Sequence, residues 1–93
     1  MKTVCIQIGN SDDKLTQSKW ASFASDVDGL LLRYESQRHF AGGSSQWVPW
    51  QNVCFVAEVE ESAMIELFAR LSAMGTKYNQ DSIAVMVGET RFI

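Results

Sequence analysis

The sequence of 93 residues contains one proline, Pro49, one histidine, His39, and two cysteines, Cys5 and Cys54. A single histidine excludes a multi-histidine metal centre, and no metal site is expected. The two cysteines lie far apart and match neither a zinc nor a redox spacing, so they read as reduced, mostly buried thiols. No apolar run reaches the ~18 residues of a membrane span, and no membrane partner is expected. Residues 1–9 carry one lysine but neither the apolar core nor the small-residue cleavage site of a secretory leader, so a cytoplasmic location is expected. Basic residues number 8, are scattered, and leave a formal net charge of −3. That argues against duplex nucleic acid as the main partner, because such affinity rests on phosphate neutralisation. It leaves room for a small nucleotide, which one helix N-terminus or one arginine can hold.

What is present suits a folded chain. The apolar share of 46% and the charged share of 20% are those of a globular protein, and disorder is not expected. The length allows one core, so residues 1–93 are read as one domain.

The most informative stretch is residues 44–60, SSQWVPWQNVCFVAEVE. Its first part is a loop with Pro49 between Trp47 and Trp50. Its second part is a strand over 52–59, with Val53, Phe55, Ala57 and Val59 on one face and Asn52, Cys54, Val56 and Glu58 on the other. Before it, Val4, Ile6 and Ile8 alternate with Thr3, Cys5 and Gln7 as a first strand, which Gly9 and Asn10 end. Thr16 caps a helix over 17–34, with Leu15 and Trp20 placed as a hydrophobic staple. Trp20, Phe23, Ala24, Val27, Leu31 and Tyr34 form its apolar face. Residues 35–37 read as a connection and 38–42 as a short strand, ended by the Gly42-Gly43-Ser44-Ser45 turn composition. Ser62 suits the cap of a second helix with the stripe Met64, Leu67, Phe68, Leu71 and Tyr78, stopping at Gly75 or running to Lys77. A fourth strand follows over 82–87, with Ile83, Val85 and Val87 on one face.

The order β-α-β-β-α-β, with right-handed crossovers and one core, has one common solution. It is the ferredoxin-like α+β sandwich: a four-stranded antiparallel sheet in the order 4-1-3-2 with both helices on one face. That topology brings residues 9–14, 43–51 and 77–81 out at the same end. A ligand site is therefore expected from Asn10, Ser11, Asp12, Asp13, Trp47, Trp50, Gln51, Asn52, Tyr78, Asn79, Gln80 and Asp81. Asn, Asp and Ser also serve turns for their own sake, and the two tryptophans can equally cap the sheet end as core.

The helix-free face of the sheet should show Thr3, Cys5, Gln7, Cys54, Val56, Glu58, Ala84 and Met86. Cys5, Cys54, Val56, Ala84 and Met86 make its middle small and apolar, which suits a homodimer interface. The face lacks the paired aromatics of an RNA-recognition motif.

Asp12-Asp13 precede a helix and can bind a divalent ion or act as acid and base; turn and capping roles are the commoner use. His39 reads as a hydrogen-bonded edge-strand residue, or as a general base beside a carboxylate. No nucleophile motif is present. Three functions follow in order: a module holding a small polar ligand, plausibly a nucleotide or nucleotide-derived signal, as a sequestering or regulatory protein; an interaction or assembly subunit using the open face; and a small hydrolase using Asp12, Asp13, Asp81 and His39. No cofactor is expected.

The segments IGNSDDKLTQ at 8–17, PWQN at 49–52 and YNQDSIA at 78–84 resemble segments shared by small bacterial and phage proteins to which no activity is attached. The resemblance spans most of the chain and implies no functional residue. It does imply that the three segments belong to one site.

Overall fold

The computed structural model describes residues 1–10, 14–44 and 51–93. Its elements run β1 (Lys2–Gly9), α1 (Gln17–Tyr34), β2 (Glu35–Ser44), β3 (Asn52–Val59), α2 (Glu61–Lys77) and β4 (Ala84–Gly88). The sheet order is β2-β3-β1-β4 and every pairing is antiparallel, so the fold is ferredoxin-like. The strand alternation decides which face is covered. Val4, Ile6, Ile8, Phe55, Ala57 and Val59 are buried with Trp20, Phe23, Val27, Leu30 and Leu31 of α1 and Leu67 and Leu71 of α2. Burying each large apolar side chain contributes about 1.5–3 kcal/mol.

Helix α1 begins as its composition demands. Thr16 accepts a hydrogen bond from the Lys19 N–H at 3.2 Å, and Leu15 and Trp20 on either side of the cap are both buried. Leu30 completes the buried stripe, a position missing from the expected face. The chain then passes straight into β2, with no connection at 35–37, because the Glu35 N–H still donates to Leu31 O while its own backbone is extended. Strand β2 is longer than its periodicity suggests. Two register shifts, between Glu35 and Gln37 and between Arg38 and Phe40, break the alternation that marks a strand in sequence. Its glycines do not end it either, since Gly42, Gly43 and Ser44 stay paired to Cys54, Val53 and Asn52. At Gly43 the approach is so close that a Cβ would lie 1.8 Å from Asn52 O.

The cap of helix α2 lies two residues before the expected Ser62. Glu60 is the N-cap without a side-chain bond, the Ala63 N–H donates to Glu60 O at 3.0 Å, and Glu61 places its charge in the first turn. The far end is a Schellman cap. Asn79 takes φ 56°, its N–H donates to Thr76 O at 3.1 Å, and the Gln80 N–H donates to Gly75 O at 2.8 Å. Gly75 is therefore not the stop. It makes room for Ile83, whose Cδ1 would lie 3.4 Å from a Cβ there. That contact holds Ile83 against α2, and β4 begins only at Ala84. Val87, expected on the core face, is 48% exposed on this short edge strand. Among the described residues, no helix is long and apolar enough to cross a membrane.

Candidate ligand site at the loop end of the sheet

The three connections meet. The Asn10 N–H, just past β1, donates to Gln51 O at 2.8 Å, just before β3. Lys14 and Asp81 are ion-paired at 3.2 Å, which joins the first connection to the third. The expectation of convergence rested on strand direction alone, and these contacts fulfil it.

Convergence consumes several of the residues expected to read a ligand. Asn10 has no exposed surface. Its Oδ1 accepts from the Leu15 N–H at 3.0 Å, and its Nδ2 donates to Leu15 O at 3.1 Å and to Gln51 Oε1 at 3.2 Å. Gln51, 6% exposed, also forms a reciprocal amide pair with Gln17 at 2.7 and 3.0 Å. A buried amide must be satisfied from within the protein, and these are. Asn10 and Gln51, both expected to read a ligand, thus have their side-chain polar atoms committed within the protein.

Tyr78 is likewise turned inward. Its ring stacks on Phe23 at 4.8 Å between centroids, and its hydroxyl donates to the Asp26 carboxylate. That hydrogen bond, with partial burial, raises the phenol above its ordinary range. Gln80 donates from Nε2 to Tyr78 O at 3.1 Å, and Asp81 stays exposed against Lys14. Ser11, Asp12, Asp13, Trp47 and Trp50 lie outside the described residues.

Three uncommitted polar side chains share one groove. Among the described residues, Gln7, Asn52 and Ser82 make no side-chain hydrogen bond, and all three are exposed. They line one groove of about 510 Å³ at the loop end of the open face, floored by Gly9, Cys54 and Ala84. The register explains the grouping: Asn52 faces Gly9, and Gln7 faces Cys54 on one side and Ala84 on the other. Asn52 was expected in the site. Gln7 and Ser82 were not, although alternation placed Gln7 on this face two residues before the loop. Two amides and a hydroxyl offer neutral donors and acceptors in both senses. The arrangement suits hydrogen-bonding edges rather than a bare charge.

The remainder of the open face carries the residues expected there. Phe40, Val56, Cys5 and Met86 form one row across all four strands, and Phe40 and Met86 are each 52% exposed. Cys5 and Cys54 are free, partly buried thiols on this face, with their sulfurs 3.3 Å apart. At the far end of the sheet, His39 Nε2 lies 3.0 Å from Glu58 Oε1, which also accepts from Thr3 Oγ1 at 3.0 Å. The His39 contact, foremost, holds the Glu58 carboxyl below its usual range. His39 pairs with Glu58 beside the start of β1, whereas Asp81 pairs with Lys14 at the loop end. The hydrolase constellation of His39 with Asp81 is therefore not assembled. Among the described residues, no three His, Cys, Asp or Glu side chains cluster as a metal site.

A scan against protein-family models finds no match for this chain, and a search of curated proteins finds none either.

Proposed function

We propose that this protein is a small binding domain that holds a polar, flat ligand, of nucleotide or nucleotide-derived class, in the groove between Gln7, Asn52 and Ser82. The carrying observation is the split among its polar residues. Gln51 is hydrogen-bonded to both Asn10 and Gln17, and Asn10 also to Leu15, while Gln7, Asn52 and Ser82 keep their hydrogen-bonding capacity and share a groove. A hydrogen-bonded support beside uncommitted polar groups suits selective recognition. Trp47 and Trp50 precede Asn52 by a few residues in the sequence, and an indole ring is chemically suited to stacking on a base. Thermal-shift and calorimetric titration with mono-, di- and cyclic nucleotides tests the reading. At least one should raise the melting temperature, and Asn52→Ala should abolish that rise without changing the unliganded midpoint. No stabilisation by any of them would sink it.

A second reading follows from the row Phe40–Val56–Cys5–Met86, an uncovered apolar band with bulky ends and a small middle. In a two-fold dimer, the large ends of one copy could fill the small middle of the other. Light scattering during size-exclusion chromatography at tens of micromolar decides it. A dimer that Val56→Asp converts to a monomer supports the reading; a monomer from the outset removes it.

A further inference from the structure

Near the centre of the open face three sulfur side chains occupy one neighbourhood. Cys5 lies on an inner strand, with Val56 opposite it on β3 and Met86 opposite it on β4. Cys54, one step along β3, places its sulfur 3.3 Å from that of Cys5. Both thiols are partly buried but not enclosed and Met86 is 52% exposed, so the cluster is reachable from solvent.

The register bears on what two touching thiols can do. Cys5 is opposite Val56 and Cys54 is opposite Gln7, so the cysteines are diagonal neighbours. Diagonal Cα atoms across antiparallel strands stand about 7–8 Å apart, beyond the usual Cα separation of a disulfide, ~4.4–6.8 Å. Closing an S–S bond would therefore require backbone movement. A shared metal ion would not. With metal–thiolate bonds of about 2.3 Å, two sulfurs on one ion stand about 4 Å apart in trigonal geometry. The observed pair reaches that spacing by side-chain rotation alone.

The donor set selects the ion. Zinc favours four nitrogen, sulfur or oxygen ligands, and among the described residues no three His, Cys, Asp or Glu side chains come together. Two thiolates and a thioether are soft donors, which suit a monovalent d¹⁰ ion. Met86 has a flexible side chain and begins directly across from Cys5.

We propose that Cys5, Cys54 and Met86 form a binding site for Cu(I), with the two thiolates as principal ligands and the Met86 thioether as the third. Binding converts two thiols and Cu⁺ into a bis-thiolate complex of net charge −1 and releases two protons, with no change in oxidation state. The site does not rest on the polar-ligand reading, since it uses neither Gln7, Asn52 nor Ser82.

The test is anaerobic competition of the reduced full chain against the Cu(I)–bicinchoninate complex. One equivalent of Cu(I) per chain should be withdrawn, with thiolate-to-copper charge-transfer absorption in the ultraviolet and two protons released. Cys5→Ser and Cys54→Ser should each abolish withdrawal while circular dichroism shows the fold retained. Met86→Leu should keep one equivalent but hold it more weakly. In the wild type, the Met86 ε-methyl signal should shift on Cu(I) addition. Withdrawal that survives either serine substitution places the copper elsewhere and overturns the proposal. No withdrawal by the wild type overturns it too, including the case in which a second copy seals the face.

Discussion

Asn10 and Gln51 are joined twice, by a backbone hydrogen bond of 2.8 Å and by a side-chain amide contact of 3.2 Å. This double link ties the end of β1 to the start of β3, next to the Gln7–Asn52–Ser82 groove.

Asn10→Ala should be among the most damaging polar substitutions in the chain. It leaves the Leu15 N–H, Leu15 O and part of Gln51 without their buried partner. An unsatisfied buried group costs about 1–3 kcal/mol, so a total loss of about 2–4 kcal/mol is expected. Urea denaturation measures it directly. In a domain of this size the melting temperature should fall by roughly 4–8 °C per kcal/mol.

Two glycines should respond in opposite directions. Gly43→Ala drives a Cβ to within 1.8 Å of Asn52 O and should destabilise by about 1–3 kcal/mol as the β2–β3 end separates. Gly29→Ala, inside α1, meets no atom within 4 Å and should stabilise by about 1 kcal/mol through helix propensity alone. Thermal melts of the two variants on either side of the wild-type midpoint would support this packing account.

Acid sensitivity should have a contribution from Glu58. Its folded-state value is depressed, chiefly by the His39 contact, so the stability it contributes is present above the ordinary carboxylate value of 4.5 and is lost as pH falls through the lower folded value. Glu58→Gln should flatten the acid limb of a stability-versus-pH curve. An unchanged limb would show that the contact carries no linkage.

The Cys5 thiol should react slowly near neutral pH. Burial first, and the adjoining Cys54 thiol second, raise it above its ordinary value of 9.0. The pH midpoint for alkylation by iodoacetamide should lie above 9.0 and should fall only part of the way back in Cys54→Ser, since burial remains. A midpoint at or below 9.0 would contradict this environment.

Residue pattern by itself determined the repeating parts of this protein. The alternation of β1 and β3, the Thr16 cap and the apolar stripes of both helices required the sandwich and assigned Cys5, Cys54, Val56 and Met86 to its open face. Such signals are local, because a strand or helix repeats its orientation every two or 3.6 residues. Only the tertiary structure decided which polar residues were free. Asn10 and Gln51 look in sequence as able to bind a ligand as Asn52 does, yet they are 41 positions apart and bond to each other, and to Leu15 and Gln17, only once the strands have paired. Strand β2 was obscured for a related reason. Its two register shifts are accommodated by pairing with β3 and leave no periodic trace in its own residues. The contact between Cys5 and Cys54 belongs to the same class, since composition supplies two thiols and only the register brings their sulfurs to 3.3 Å.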